Sequence, residues 1–376
     1  FFLPIYIMSF IFLPSFAKGE MYDFISRTLF QNYKIAKEYY SLSEDYLKSA
    51  SEKEITIPQS SSDILGKNIF IVEFESLSSL VLDEKITPNY LSESRKGIFF
   101  PKFYTNSVQT IRGQESLLCG VPPTIRLTLV QSHSKEFLGK LHCLPNILKR
   151  LGYKTLFFKS DSLTFANTDD FMKSIGFDEL HNDDIMGQGD TEYTWGFLED
   201  IFFDRIFQYL KRYKDEKIFV FIAISSTNHW PHEIQDERYR DSLPFQNPIN
   251  TKEKISNTTF LQDVYFKNFI DQFTNAYSDN STLIFTADQS WPIGIHENNN
   301  FNEVGAYEEN FLIPFAYIPP QSIQKQFRTG EIIHTRYSQM DVLPTFFDIL
   351  GVENYYLLGK SFARELLVNN KRDVAH

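Results

Sequence analysis

Near-continuous apolar runs that end in polar groups constrain this chain more than any other feature of it. The first begins at Asn68, reads NIFIVEF, and ends at Glu75 and Ser76. A second, from Lys154, leads to Ser160 and Asp161; a third, from Lys217, leads to Ser225, Ser226, Thr227, Asn228 and His229. A fourth, from Thr282, leads to Asp288 and Gln289, and the last, from Ile313, meets prolines. A strand with one wet face alternates apolar and polar residues, whereas a run without alternation is covered on both faces, as in a parallel sheet. Helical patterns fill the gaps: residues 144–151 up to Gly152, 195–213, 260–277 after a polar Ser256-Asn-Thr-Thr start, and 340–350 up to Gly351. Strand and helix alternate, so the class is α/β with a mainly parallel central sheet flanked by helices. In such sheets functional groups collect beyond the C-terminal ends of the strands. The polar run ends therefore converge on one edge.

The 376 residues are enough for one large α/β domain with an appendage. The appendage is N-terminal. Residues 1–17 read FFLPIYIMSFIFLPSFA and are expected to be the outer end of a transmembrane segment, although about 20 apolar residues make a full span. The other reading is a hydrophobic arm packed on the domain. Residues 18–62 form a helical linker, with Tyr22, Ile25, Leu29, Tyr33, Ile35, Tyr39 and Tyr46 near helical spacing and Ser60 to Ser62 as its boundary. Residues 63–376 are the catalytic domain.

A net charge of −11 argues against a nucleic-acid partner, because a phosphate backbone needs a basic footprint. The two cysteines, Cys119 and Cys143, are 24 residues apart and have no CxxC spacing, which argues against a zinc knuckle. Either they form a disulfide, which implies an oxidising compartment, or they are two buried thiols.

The stretch NSVQTIRGQESLLC, from Asn106 to Cys119, passes from small polar residues into a helix. Thr110 at its start is either an N-cap or a nucleophile. The helix N-terminus would favour an anionic phosphate, and Arg112 would add a charged fork. Glu75, Thr110, Asp288 and Gln289 together make a hard, oxygen-rich site for a divalent cation. His229 and His296 stand near strand ends, as phosphate contacts or proton donors to a leaving group.

The segments NIFIVEFESLSS, FYTNSVQTIRGQESLLCGVPPT, CLPNILKRLGYKTLFF, SSTNHWPH, LIFTADQSWPIGIHENN and SQMDVLPTFFDILGV resemble the lipoteichoic acid synthase and phosphoglycerol transferase branch of the sulfatase (alkaline phosphatase) superfamily. The resemblance runs from about residue 66 to about residue 365. It implies an alkaline-phosphatase/sulfatase-like fold and a membrane-anchored, extracytoplasmic bacterial enzyme. Such an enzyme moves a phosphoglycerol-type head group from a phospholipid donor to a glycan or polyol acceptor. Glu75, Thr110 and Asp288 match the family's metal Glu, Thr nucleophile and metal Asp, and His229 matches a phosphate-contacting His. Where the family has a His after the metal Asp, this chain has Gln289. Where the lipoteichoic enzymes have a His, a Trp and an Arg holding glycerol phosphate, it has Lys159, Ala166 and Thr168, of which Lys159 still offers charge to a phosphate. Manganese or magnesium is the expected ion, ahead of zinc or calcium. A plain phosphodiesterase or sulfatase, and a non-catalytic binding protein, are the alternatives on the same fold.

Overall fold

The computed structural model describes residues 32–58, 62–124, 127–296, 299 and 307–368. The expected membrane segment at 1–17 and the first part of the linker lie outside them. Among the described residues no helix is long and apolar enough to cross a membrane.

One eight-stranded sheet carries the architecture, with strands β1 (Asn68–Phe74), β2 (Ile98–Tyr104), β3 (Lys154–Lys159), β4 (Glu179–His181), β7 (Ile218–Ala223), β8 (Ser281–Ala287), β9 (Leu312–Ile318) and β10 (Tyr337–Ser338). A separate small hairpin supplies β5 (Glu192–Tyr193) and β6 (Gly196–Phe197). The order across the large sheet is β10-β2-β9-β8-β1-β7-β3-β4. β1 lies between β7 and β8, parallel to both, with Ile71 level with Phe221 and with Ile284. All seven residues of β1 are buried, as are all seven of β8, which is what their unbroken apolar sequences demand.

The sheet departs from the sequence reading at several strands, and the short β4, β10 and the β5–β6 hairpin were not expected. β9 runs antiparallel to both of its neighbours, β8 and β2. β2 has no counterpart among the expected strands. Its sequence IFFPKFY carries Pro101, and its register with β9 shifts between Phe100 and Phe103, where the proline removes a ladder donor.

The helices are α1 (Asn32–Glu52), α2 (Pro88–Ser94), α3 (Thr110–Cys119), α4 (Leu144–Arg150), α5 (Thr168–Ser174), α6 (Glu199–Leu210), α7 (Thr251–Ala276) and α8 (Val342–Leu350). α7 starts nine residues ahead of the expected 260, capped by the Asn250 side chain on Glu253 N–H. The polar Ser256, Asn257, Thr258 and Thr259 that read as its start are buried within it. α6 likewise omits Trp195, which sits in the β5–β6 hairpin. Below the sheet edge the core is aromatic. Phe74, Tyr90, Phe266 and Phe285 meet in edge-on or tilted pairs with centroids 4.7–6.0 Å apart.

Candidate active site

The strand ends meet where the sequence places them. β1 leads directly into Glu75, followed by Ser76 in a left-handed conformation (φ 51°) that a non-glycine residue adopts only when its surroundings hold it. Those surroundings are visible. Ser76 N–H donates to Asp288 Oδ1 (2.9 Å), and its Oγ donates to Glu75 Oε1 (2.6 Å). The Asn228 amide donates to the carbonyls of Glu75 and Ser76, and Gln262 Nε2 donates to the Glu75 carbonyl. Thr258 on α7 in turn holds Asn228 Oδ1. The buried polar face of α7 is thus the support of the Glu75 turn.

Thr110 is the first residue of α3. It is not a cap, because a cap accepts from helix amides while Thr110 Oγ1 donates to Asp288 Oδ2 at 2.6 Å. Gly113, one turn on, brings the helix backbone against β8. A Cβ there would lie 2.6 Å from the Asp288 carbonyl oxygen, so only glycine fits. Gln339 clamps the same point, donating to the carbonyls of Ala287 and Asp288 and accepting from Thr105 and the Asn106 amide. At the far end of α3, Cys119 is joined to Cys143 in a disulfide.

A cleft of about 420 Å³ opens above these groups. Glu75, Thr110, Arg112, Lys159, His229 and Gln289 all line it. His296 does not; its Nδ1 faces the buried Glu309 carboxylate at 3.0 Å and its ring stacks on Tyr307. Lys159 is 3% exposed, its ammonium held by Asp161 Oδ2 and the Ser162 carbonyl, both at 3.1 Å. Asp161 is also bound by Ser225 Oγ. Lys159 therefore reaches the cleft as half of an ion pair. His229 Nδ1 lies 2.9 Å from the Trp230 carbonyl, which only accepts, so Nδ1 carries the proton and Nε2 is an acceptor. Burial holds the His229 pKa below its ordinary value, partly offset by that carbonyl and by Asp161.

The wall opposite Thr110 was not legible in the sequence. Trp195 stacks on His229 with centroids 3.6 Å apart, and Phe165 stands edge-on to Trp195 at 6.2 Å. Ala166, the position aligned with the family's Trp, lies beside that wall in a left-handed conformation (φ 55°). An aromatic face is therefore present, supplied from neighbouring Phe165 and from a hairpin about thirty residues on.

The donor set suits a divalent cation. Glu75 is buried and its pKa is pushed up to about 8 by burial, despite hydrogen bonds from Ser76 and Gln289. Asp288 and Glu73 are raised too, each by burial first and then by a neighbouring carboxylate. Glu73, one more buried acid behind Glu75, is held by Gln114 Nε2 at 2.5 Å. Gln289 Oε1 is buried without a hydrogen-bond partner, while its Nε2 turns to Glu75 Oε1 at 3.5 Å. Clustered acids that repel one another, with an orphaned amide oxygen beside them, are what a hard cation would satisfy. Among the described residues no group of three or more His, Cys, Asp or Glu has metal-binding geometry, so Thr110 and Gln289 would have to complete the set.

Comparison with known proteins gives this geometry its relatives. The sulfatase family model matches residues 67–352. The chain is 26% identical over 355 residues to a lipoteichoic acid synthase-like protein, YvgJ, of Bacillus subtilis, covering 89% of this chain and 55% of that protein. It is 26% identical over 308 residues to phosphoglycerol transferase I of Escherichia coli, covering 78% of this chain and 38% of that one. The chain thus spans about half the length of the curated relatives it matches. Its fold superposes on the crystal structure of the lipoteichoic acid synthase LtaP from Listeria monocytogenes with a TM-score of 0.68 at 17% identity, over 86% of this chain and 82% of that one.

Proposed function

The chain belongs to the sulfatase family, and we propose that it is a phosphotransferase with Thr110 as its nucleophile. The observation that carries the reading is the 2.6 Å hydrogen bond from Thr110 Oγ1 to Asp288 Oδ2 on the cleft floor. That bond fixes the hydroxyl rotor, turns the oxygen lone pairs toward the cleft, and gives the proton a destination at Oδ2. The attack forms an Oγ1–P bond and breaks the bond from phosphorus to the lipid alcohol, whose oxygen leaves and takes up a proton from solvent. The first-turn amides of α3 have no intrahelical partners and, with Arg112, bind the phosphoryl oxygens. His229 Nε2 then accepts the proton of an acceptor hydroxyl and passes it to solvent, while that oxygen displaces Oγ1, which regains its proton from Asp288 Oδ2 and regenerates Thr110. Glu75, Thr110, Asp288 and Gln289 would hold a divalent cation, manganese or magnesium, which when bound lowers the hydroxyl pKa and draws charge from phosphoryl oxygen.

The donor class is a phospholipid with a phosphoglycerol-type head group, and the acceptor is a glycan or polyol. The name phosphoglycerol transferase I supports the head group, and the apolar run at 1–17 supports a lipid donor. The Cys119–Cys143 disulfide supports an extracytoplasmic domain at a bacterial membrane. The deciding experiment incubates the protein with phosphatidylglycerol vesicles and manganese, and follows diacylglycerol release and phosphorylation of Thr110 by mass spectrometry. Release should stop in Thr110→Ala, and a phosphoglycerol adduct should be found on Thr110 in the parent. Undiminished release in Thr110→Ala would overturn the covalent route. Release with water as the only competent acceptor would make the protein a phosphodiesterase.

A further inference from the structure

Phe165, 55% exposed, and the half-buried Trp195 both line the cleft, and their rings meet at 77°. Rings at that angle make a corner rather than a stack. Both arms of the corner are fixed. Trp195 stands at the tip of the β5–β6 hairpin, and Gly196 beside it (φ 109°) packs so closely on the end of β3 that a Cβ would run into the Ser160 carbonyl oxygen. Phe197 N–H donates to that carbonyl at 3.0 Å, and Ser226 Oγ donates to the Phe197 carbonyl at 2.7 Å. Phe165 is followed by Ala166 and Asn167, both left-handed (φ 55° and 58°), and its carbonyl accepts from Thr168 Oγ1 at 2.7 Å. Two successive non-glycine residues in that region cost free energy, and strain of this kind gathers at ligand-holding loops. A large ring held in water forgoes the stabilisation of burial, which a ligand covering it would restore.

Charge at the foot of the corner narrows the choice of ligand. The Lys159 ammonium stands 5.3 Å from the Phe165 ring centroid, so the negative face of that ring already has its cation. Asp161 balances it, with Oδ2 on Lys159 and Oδ1 on Ser225 Oγ. A second cation would meet the Lys159 ammonium with no carboxylate left to receive it, and an anion would meet Asp161. A neutral ligand suits the balance. Among neutral ligands a linear polyol has no flat face to lay on a ring. A pyranose does, and its weakly positive C–H groups complement the negative aromatic face. Its hydroxyls find amide partners in Gln109 and Gln131, both exposed and both lining the cleft.

We propose that Phe165 and Trp195 form the subsite for a neutral pyranose of the acceptor. The proposal rests on the transferase reading and narrows its acceptor to a glycan. Trp195 lies nearly flat on His229, with centroids 3.6 Å apart. A sugar held against the corner is therefore next to the imidazole whose Nε2 takes the hydroxyl proton. The corner selects the acceptor by its ring face, and the same stack keeps the base in place beside it.

The test needs no donor and no turnover. The full chain is titrated with cellopentaose, laminaripentaose and chitopentaose, and with sorbitol and phosphocholine as rival chemistries, by calorimetry and tryptophan emission. At least one pentasaccharide should bind and shift the emission. Phe165→Ala, at an exposed position, and Trp195→Ala should each weaken that binding about tenfold. Trp195→Phe keeps a ring, so it should retain most of the affinity while abolishing the emission shift. Failure of all three pentasaccharides to bind would overturn the proposal, as would affinity unchanged in both alanine variants. Tighter binding of sorbitol or phosphocholine would also overturn it, making the corner a polyol or a cation site. Pentasaccharide binding in a protein that forms no Thr110 adduct with phosphatidylglycerol keeps the subsite and discards the transferase reading; an adduct without pentasaccharide binding does the reverse.

Discussion

At the scale of single residues the most telling position is Gln289. Its amide nitrogen is spent on Glu75, and its oxygen is buried without a partner, so the oxygen is the end available to a cation. An amide oxygen suits magnesium or manganese, whereas imidazole nitrogen suits zinc. Gln289→His should therefore raise zinc affinity by on the order of tenfold, about 1.4 kcal/mol, and leave magnesium binding no stronger. Calorimetric titration of the parent and the variant with each ion checks this; equal zinc affinity would remove residue 289 from the donor set. Thr110, Glu75 and Asp288 could be singled out from sequence because each ends a strand or opens a helix. Trp195 and Phe165 could not, because the wall they form exists only once a hairpin and a strand loop meet.

At the scale of elements, the segment that follows β8 is organised by one acid the sequence did not flag. Glu309 is buried and accepts from the amides of Ile293, Ile295 and His296, from His296 Nδ1, and from Asn299 Nδ2. It explains why His296 is drawn away from the cleft. Glu309→Ala should cost about 3 kcal/mol, the range for buried hydrogen bonds to a charged acceptor, and should open residues 291–299 to proteolysis. Urea melts and limited digestion test it, and a loss within about 0.5 kcal/mol, the size of a neutral surface change, would deny the acid that role. The strands of the sheet centre were legible because burial on both faces writes an unbroken apolar run. Strand direction is not written that way, so the reversal of β9 was invisible. The α7 boundary was misread because polar residues that mimic a start have partners inside the fold, Thr258 on Asn228 and Asn257 on the Phe245 backbone.

At the scale of the whole molecule, buried groups bear on how stability depends on pH in opposite directions, as Glu115 and His232 show. Glu115 is fully buried, and burial raises its carboxyl to about 8. Folding therefore takes up a proton between pH 8 and the ordinary carboxylate range, and stability rises as pH falls by about 1.4 kcal/mol per unit. Burial depresses the buried His232 to about 3, so its contribution is lost as pH falls from its ordinary value toward 3. Glu75, also raised to about 8, adds a slope of the same sign as Glu115, and the His232 slope opposes them below its ordinary value. Glu115→Gln keeps an acceptor for the Leu129 amide and should remove its share of that rise, about 1.4 kcal/mol per pH unit. Thermal melts of both proteins across that range decide it; an equal slope in both would clear Glu115. None of this was readable in advance, since burial of a helix glutamate depends on what the fold stacks over it.

Gly113 has a consequence for how the protein can vary. Because a missing side chain sets the spacing between the helix of the nucleophile and the strand of the carboxylate, the distance from Thr110 to Asp288 is a steric stop with no slack in one direction. Loops around the cleft can be exchanged to suit a new head group or acceptor. The separation of hydroxyl and carboxylate cannot be widened by the same route without a break in the fold, so divergence in this architecture is channelled into the walls and away from the floor.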